Sequence, residues 1–436
     1  MTQRDWNWHK EIDKKCLAPW HSLTINWQGN VFADAVAKFP YGNLYENTLS
    51  QMWESDRAVK LREDWSNSKL DNPICSQCMA KETSSGYSRR LYFYNNMDPE
   101  IVKKTKYDPN ASPDILYLEI NSSNKCNLKC RMCCGPVSSS WIKDEVKLAS
   151  VKPYWMPKRD KGDYFKLDFS IIENLLENKN YFLNLEVLKL TGGEPLMEEQ
   201  NYQIMEKFIE WGIAKNVTLD INTNGTVINE RLKNIAKEFK TVKFHVSIEG
   251  TGKLYEYIRG GDNFDIMQLE DNIKNFFNKL PNTTLIYTVT VQIYNIFDLV
   301  NIWKWYLKNR KPYDEIYFRN IVANPRYLNI HVLPQEYKSK AYEILKNADL
   351  PIGDYFPPGE PLGQGDIGFK DLINNLAGSK HYTESQQQTY LKEFLWFTKQ
   401  LDDIRNTSIE EVVPELKDLF NPIAYEKIVN EYERAV

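Results

Sequence analysis

Three cysteines, Cys126, Cys130 and Cys133, form a C-x3-C-x2-C pattern in the run NSSNKCNLKCRMCC. Thiolates at that spacing are soft donors that can wrap one small inorganic centre. Two kinds of centre are open to them. A structural zinc ion wants a fourth ligand, commonly cysteine or histidine. Cys134 adjoins Cys133 and is sterically poor for the same metal, and all five histidines are remote in sequence. Iron–sulfur clusters usually take four cysteines; a cubane held by three leaves one iron open to a substrate or cofactor. Cys134 itself reads as a small packed residue.

The other cysteines are Cys16, Cys75 and Cys78, so all seven lie in the first third of the chain, clustered and odd in number. In a cytosolic protein such clusters favour metal or redox chemistry over structural disulfides. The rest of the composition sets bounds. A length of 436 residues is a soft prior for roughly two to four domains, and a hydrophobic fraction of 42% with 19 glycines is ordinary for a globular chain. The balance of 55 basic against 59 acidic residues, net −4, argues against general nucleic-acid binding, though not against a local basic patch. There is no run of 18 apolar residues, and the start MTQRDWNWHKEIDKK lacks the apolar core of a secretion signal. The expectation is a soluble cytoplasmic protein with no membrane association.

The elements that must position these cysteines are legible from periodicity. Runs rich in β-branched residues predict strands at 115–121, 185–191, 217–223, 242–249, 284–291 and 315–321. Between them lie helical patterns such as SIIENLLENK, NYQIMEKFIEWGIAK and FDLVNIWKWYLKN. This alternation predicts βαβ units and a parallel sheet. Six units are too few for an eight-stranded barrel, which leaves a partial barrel or a doubly wound sheet. Residues 1–95 read as a separate module with short strands in HSLTINWQGNVFA and a helix over TLSQMWESDRAVKLREDW; 96–113 as a linker; 114–325 as the α/β region; and 326–436 as a loop-rich, then helical, extension.

Open parallel sheets bind ligands at the carboxyl ends of their strands, and polar residues collect there. After the first strand comes the cysteine run, and after the second TGGEP. Asn222, Thr223 and Asn224 close the third strand, Ser247 and Glu249 the fourth with Arg259 following, and Gln292 and Asn295 follow the fifth. Turn chemistry explains any one group; five on one rim favour a shared ligand.

The cysteine triplet after the first strand, GGEP after the second and an IEG segment at the fourth resemble the radical S-adenosylmethionine (SAM) superfamily over roughly residues 114–325. That resemblance implies an α/β fold built as a partial (β/α)6 TIM barrel. It also implies a [4Fe–4S] cluster on Cys126, Cys130 and Cys133 that binds SAM and cleaves it reductively to a 5′-deoxyadenosyl radical. Met132 would pack near the adenine; Gly192, Gly193 and Glu194 would take the methionine amino group; Asn222 and Ser247 would touch ribose or carboxylate; Arg259 would pair with the carboxylate. A Rossmann site is not expected, since no GxGxxG follows a strand.

The segments CLAPWHSLTINWQGNVF, GNLYENTLSQMWESDRAVKLRED and CSQC resemble the twitch or SPASM auxiliary-cluster module, here ahead of the barrel as in phage-type twitch-containing proteins; CGPVSSSW resembles that subgroup too. The resemblance implies a second iron–sulfur cluster on Cys16, Cys75 and Cys78. Where the module usually places a further cysteine this chain has Ala33, Asp34 and Ala35. Either Asp34 supplies an oxygen ligand or one iron is open; a zinc site or a metal-free remnant is the bland alternative.

The implied function is modification of a C–H bond of an unknown substrate, a peptide or protein, with an electron donor such as flavodoxin or ferredoxin. The alternatives are a small molecule, sugar or nucleotide as substrate, or a non-catalytic cluster carrier or scaffold. The stretch KPYWMPKRDKGDYFK (152–166) reads as a solvated loop, the helical tyrosines and tryptophans as core, and Glu119, Glu249 and Arg319 as candidates for the barrel interior.

Overall fold

The computed structural model describes residues 15–69, 72–85, 88–152, 164–260, 264–351, 368–377 and 381–430. The chain divides into two compact units. The first comprises residues 1–124, 165–221 and 231–242, and the second 125–164, 222–230 and 243–436.

In the first unit the strands are β1 (Ser22–Ile25), β2 (Asn30–Phe32), β3 (Gly42–Asn43), β4 (Tyr117–Asn121), β5 (Val187–Thr191) and β6 (Thr218–Thr223, whose last two residues belong to the second unit). They run in the order β3-β2-β1-β4-β5-β6. β4–β5 and β5–β6 pair in parallel, as the βαβ alternation predicts. Leu118, Ile120, Leu188, Leu190, Leu219 and Ile221 are fully buried, and helices Phe169–Leu176 and Glu199–Glu210 bury Ile172, Leu175, Ile204 and Phe208. On the alternate positions Thr24, Glu119, Lys189 and Asp220 are directly in register across four strands.

Three features differ from the sequence reading. β1 does not stop at a local hairpin: besides its antiparallel partner β2 it pairs in parallel with β4, Ser22 opposite Tyr117 and Ile25 opposite Ile120, so the amino-terminal strands extend the sheet. The stretch read as a linker holds a helix, Pro99–Lys104, capped by Asp98. Its following backbone is pinned by module side chains. Trp20 donates to the Asp108 carbonyl (2.7 Å), Trp53 to Ala111 (2.7 Å) and Arg62 to Pro109 (2.6 Å). Such side-chain donors to scattered carbonyls leave no periodic trace in sequence. The helix read over TLSQMWESDRAVKLREDW is two helices, Leu49–Trp53 and Asp56–Ser66, because Ser55 caps the second.

The second unit holds β7 (Thr241–Ser247, from Lys243 onward), β8 (Thr283–Val291) and β9 (Glu315–Ile321), with β8–β9 parallel. Helices Gly252–Arg259, Ile266–Asn275 and Leu299–Asn309 alternate with these strands, and the carboxy-terminal region is helical, led by the 22-residue helix Glu384–Arg405. That helix starts at a Thr383/Gln386 capping box and ends on Asn406 in the left-handed region. The architecture is the α/β partial-barrel type expected, with six βα strands and a helical extension. Residues 153–163 of the aromatic–basic stretch, 352–367 of the proline–glycine loop and the side chain of Arg319 lie outside the described residues.

Candidate functional site

The cysteine loop of the second unit is held from both sides. The serine–tryptophan run is one of them. Cys126 donates its backbone N–H to Ser139 Oγ (3.3 Å), Ser140 Oγ donates to the Cys126 carbonyl (2.7 Å), and Trp141 Nε1 donates to the Cys130 carbonyl (2.8 Å). On the other, Lys129 and Arg131 donate backbone N–H groups to the carbonyls of Gly260 and Ile258 (3.1 and 2.8 Å). Arg131 is fully buried. Its Nε donates to the Tyr257 carbonyl (2.9 Å), its guanidinium lies 3.5 Å from the Tyr257 ring centre, and it pairs with Asp402 of the carboxy-terminal helix.

None of the seven cysteines is in a disulfide; Cys130 is buried and Cys126 and Cys133 half-buried. The Cys133 thiol donates to Cys130, which lowers the Cys130 pKa against the upward push of burial, with Arg259 and Arg405 adding to the lowering. Arg259, expected at a ligand carboxylate, is buried against Glu249 with Nη1 to Oε2 at 2.8 Å, while its Nε has no partner among the described residues. Glu249 is thereby engaged within the protein. Met132 Sδ accepts from Gln292 Nε2 at 3.7 Å, and Asn224 Nδ2 lies 3.7 Å from Cys126 Sγ. Ser247 is half-buried and Asn222 exposed at the ends of β7 and β6.

In the first unit, the turn after β5 has a firm reason for its first glycine. Gly192 has φ +133°, and a Cβ there would lie 2.6 Å from the Ser123 carbonyl oxygen. Gly193 donates its N–H to the same oxygen at 2.9 Å. Glu194 is 1% exposed, and its carboxylate accepts from Leu196 N at 3.1 Å. Glu119 is buried beside Tyr117, whose hydroxyl donates to it at 3.1 Å.

Cys16, Cys75 and Cys78, far apart in sequence, line a single pocket together with Ala33, Asp34, Trp65 and Arg89. Cys16 precedes the short helix Ala18–His21, Cys75 ends a turn capped by Asn72, and Cys78 sits in helix Ser76–Ser85. Burial pushes the Cys75 thiol up to about 11, opposed by the Trp65 indole N–H, which donates to its sulfur at 3.3 Å. Asp34 is in the pocket wall with its carboxylate committed: Oδ2 accepts from Arg89 Nε and Nη2 (2.9 and 2.7 Å), and Oδ1 from Val36 N (3.1 Å). Arg89 also lies 3.8 Å from Glu119 and over the rings of Tyr92, Phe93 and Tyr117.

Both thiol sets fit a multi-iron centre in donor chemistry. Among the described residues no three Cys, His, Asp or Glu side chains close on a point where a single ion could sit. Around Cys130, on which both guanidiniums act electrostatically, Arg259 Nε and Arg405 Nη1 and Nη2 have no acceptor among the described residues, as suits a site built around an anionic group. Trp65, Arg89, Arg405 and the Arg131–Asp402 pair escaped sequence reasoning. Their contacts span from ten positions, Trp65 to Cys75, to 271, Arg131 to Asp402, and follow no periodic spacing.

Residues 120–300 match the family described as the Radical SAM superfamily, and residues 16–79 match SPASM, an iron-sulfur cluster-binding domain. A curated relative, GTP 3′,8-cyclase of Aquifex aeolicus (strain VF5), is 30% identical over 140 residues; the match covers 31% of this chain and 36% of the relative's length. Similar solved structures include native anSMEcpe with bound AdoMet (16% identity, 52% of this chain, 59% of that one, TM-score 0.36). Another is Streptococcus suis SuiB bound to precursor peptide SuiA (14% identity, 84% of this chain, 71% of that one, TM-score 0.37). Among the described residues no helix is long and apolar enough to cross a membrane.

Proposed function

We propose how this chain, an enzyme of the radical SAM superfamily with an SPASM iron–sulfur domain ahead of its barrel, uses its two groups of cysteines. Cys126, Cys130 and Cys133 would hold a [4Fe–4S] cluster, and Cys16, Cys75 and Cys78 a second, auxiliary cluster. When bound, the first cluster supplies the electron that splits SAM reductively, giving a 5′-deoxyadenosyl radical that takes hydrogen from a substrate C–H bond. The observation that carries the reading is the three-thiol loop itself, braced on both sides and set beside buried guanidinium N–H groups with no acceptor among the described residues.

The chain's own residues then have definite tasks. The bracing serines and Trp141 fix the loop carbonyls, so the thiols keep their spacing. Met132 and Gln292 would flank the adenine, and Asn222 and Ser247 would meet ribose or carboxylate. Gly192 and Gly193 let backbone approach the methionine end of SAM closely, and Glu194 would accept a charge-assisted hydrogen bond from its amino group. Arg259, already paired with Glu249, offers its remaining N–H to an anion. Asp34, held by Arg89, is a wall of the auxiliary site.

A peptide or protein is the substrate supported by the SPASM match, because the module resembles those of enzymes that often modify such substrates. A nucleotide is the second reading, favoured by the 30% identity to GTP 3′,8-cyclase over 140 residues. An external one-electron donor such as flavodoxin or ferredoxin would feed the site. The test is anaerobic reconstitution with iron and sulfide, then SAM and dithionite, with 5′-deoxyadenosine quantified in the presence of peptide mixtures or of GTP. The expected result is 5′-deoxyadenosine from the wild type and none from the Cys126→Ala, Cys130→Ala, Cys133→Ala triple variant. Absence of product from fully loaded wild type under every condition overturns the reading.

A further inference from the structure

We propose that Arg405, the last residue of the helix Glu384–Arg405, is a positioning residue for the cluster at Cys126, Cys130 and Cys133, and that its charge and N–H groups set the cluster's reduction potential. This rests on the reading of that loop given above. It assigns a task to a segment well outside residues 120–300, the part that matches the superfamily.

Arg405 is a buried cation whose hydrogen-bond donors are only partly matched. The Arg405 side chain is 5% exposed. Its Nε donates to Asp144 Oδ2 at 2.8 Å, but Nη1 and Nη2 are buried without a hydrogen-bond partner among the described residues. Unpaired buried donors of a charged group are costly. The cost is raised here by a second buried guanidinium, Arg131, whose like charge acts on Arg405 and whose own partner is Asp402. Asp144 and Asp402 balance the two guanidiniums in charge, but Arg131 Nη1 and both terminal nitrogens of Arg405 still lack acceptors among the described residues.

The location says which anion would accept from those donors. The Arg405 guanidinium stacks 4.5 Å from the Trp141 ring, and Trp141 donates to the Cys130 carbonyl at 2.8 Å. A Cβ on Gly260 would come within 2.9 Å of Arg405 Nη1 and 3.1 Å of the Lys129 carbonyl oxygen, so a bare glycine lets the guanidinium lie against the cysteine loop. Arg405 interacts electrostatically with Cys130. Thiolates carrying an iron–sulfur centre are anionic, and a nearby cation or N–H donor favours the reduced, more negative state, raising the potential.

The experiment is a potentiometric titration of the full reconstituted chain followed by EPR, reading the signal that changes when SAM is added, with iron and sulfide per chain as the loading control. Arg405→Met is expected to load but to lower the reduced-to-oxidised ratio at the wild-type midpoint at least tenfold, equivalent to 59 mV for one electron. Arg405→Lys, which keeps charge but loses the fork, should fall between. Asp144→Asn, which removes the counter-charge, should shift the midpoint the other way; a merely structural role would not move the two in opposite directions. Unchanged midpoints in loaded Arg405→Met and Asp144→Asn overturn the proposal. Should Arg405→Met not fold, Arg405→Lys and Asp144→Asn decide on the same criterion. Failure of the wild type to show any SAM-responsive signal would instead overturn the functional reading beneath it.

Discussion

The indole N–H of Trp65 donates to the sulfur of Cys75 at 3.3 Å. Trp65 is 1% exposed, so water does not compete for this bond. Hydrogen bonds to ligating sulfur stabilise the reduced state of an iron–sulfur centre. Replacing Trp65 with Phe keeps most of the packing and removes the donor. The auxiliary signal, the one that does not respond to SAM, should then show a lower midpoint potential in an EPR-monitored titration. A midpoint equal to wild type at equal iron loading would mean that the bond does not tune this centre.

Asp34 stands where the module family has a cysteine nearby, yet both oxygens of its carboxylate already accept from Arg89 and Val36. Asp34→Asn should therefore keep the iron and sulfide content of the amino-terminal site, whereas Cys75→Ala should lose it. The stability cost should be about 1–3 kcal/mol, since Arg89 loses a largely buried charged partner. Iron loss in Asp34→Asn equal to that in Cys75→Ala would make the carboxylate a ligand.

Gly192→Ala should be severe. Its φ of +133° strains any other residue, and the new Cβ would meet a backbone oxygen at 2.6 Å, which cannot swing away as a side chain can. The expected loss of stability is about 2–4 kcal/mol, read by urea denaturation, with weakened SAM binding in equilibrium dialysis. Gly212→Ala is the control: φ is +74° but nothing lies within 4 Å, so only backbone strain of about 1 kcal/mol is expected. Equal effects at the two positions would refute the steric argument.

Strand and helix periodicity made the six βα units legible, because each strand buries one continuous apolar face, and local patterns such as C-x3-C-x2-C and GGEP marked the rim. What lay hidden was assembled by distance. The β1–β4 pairing joins residues some ninety positions apart, and no periodic signal tells a strand which neighbour it will take. The clasp of Arg131 by Asp402 and of Arg405 by Asp144 spans more than 250 positions. Arg259 was legible as a charged rim residue, but its partner Glu249 was not, since both suit a ligand as well as each other.

Glu393, buried on the helix Glu384–Arg405, supplies a pH test of that helix. Burial pushes its carboxyl up to about 7, and Arg326 only partly opposes the push. The folded protein therefore binds this proton more tightly than the unfolded chain, whose glutamate titrates near 4.3. Its contribution to stability is fully present below about pH 4 and is lost as the pH rises through about 7. Glu393→Gln mimics the protonated form and removes the dependence. Measured by urea denaturation at several pH values, the variant should match wild type near pH 4. By pH 8 it should be more stable by about 1–2 kcal/mol, a figure reduced for partial solvent screening. A difference between variant and wild type that stays constant from pH 4 to 8 would show that Glu393 titrates alike in the folded and unfolded chain, and that its surroundings do not hold the proton.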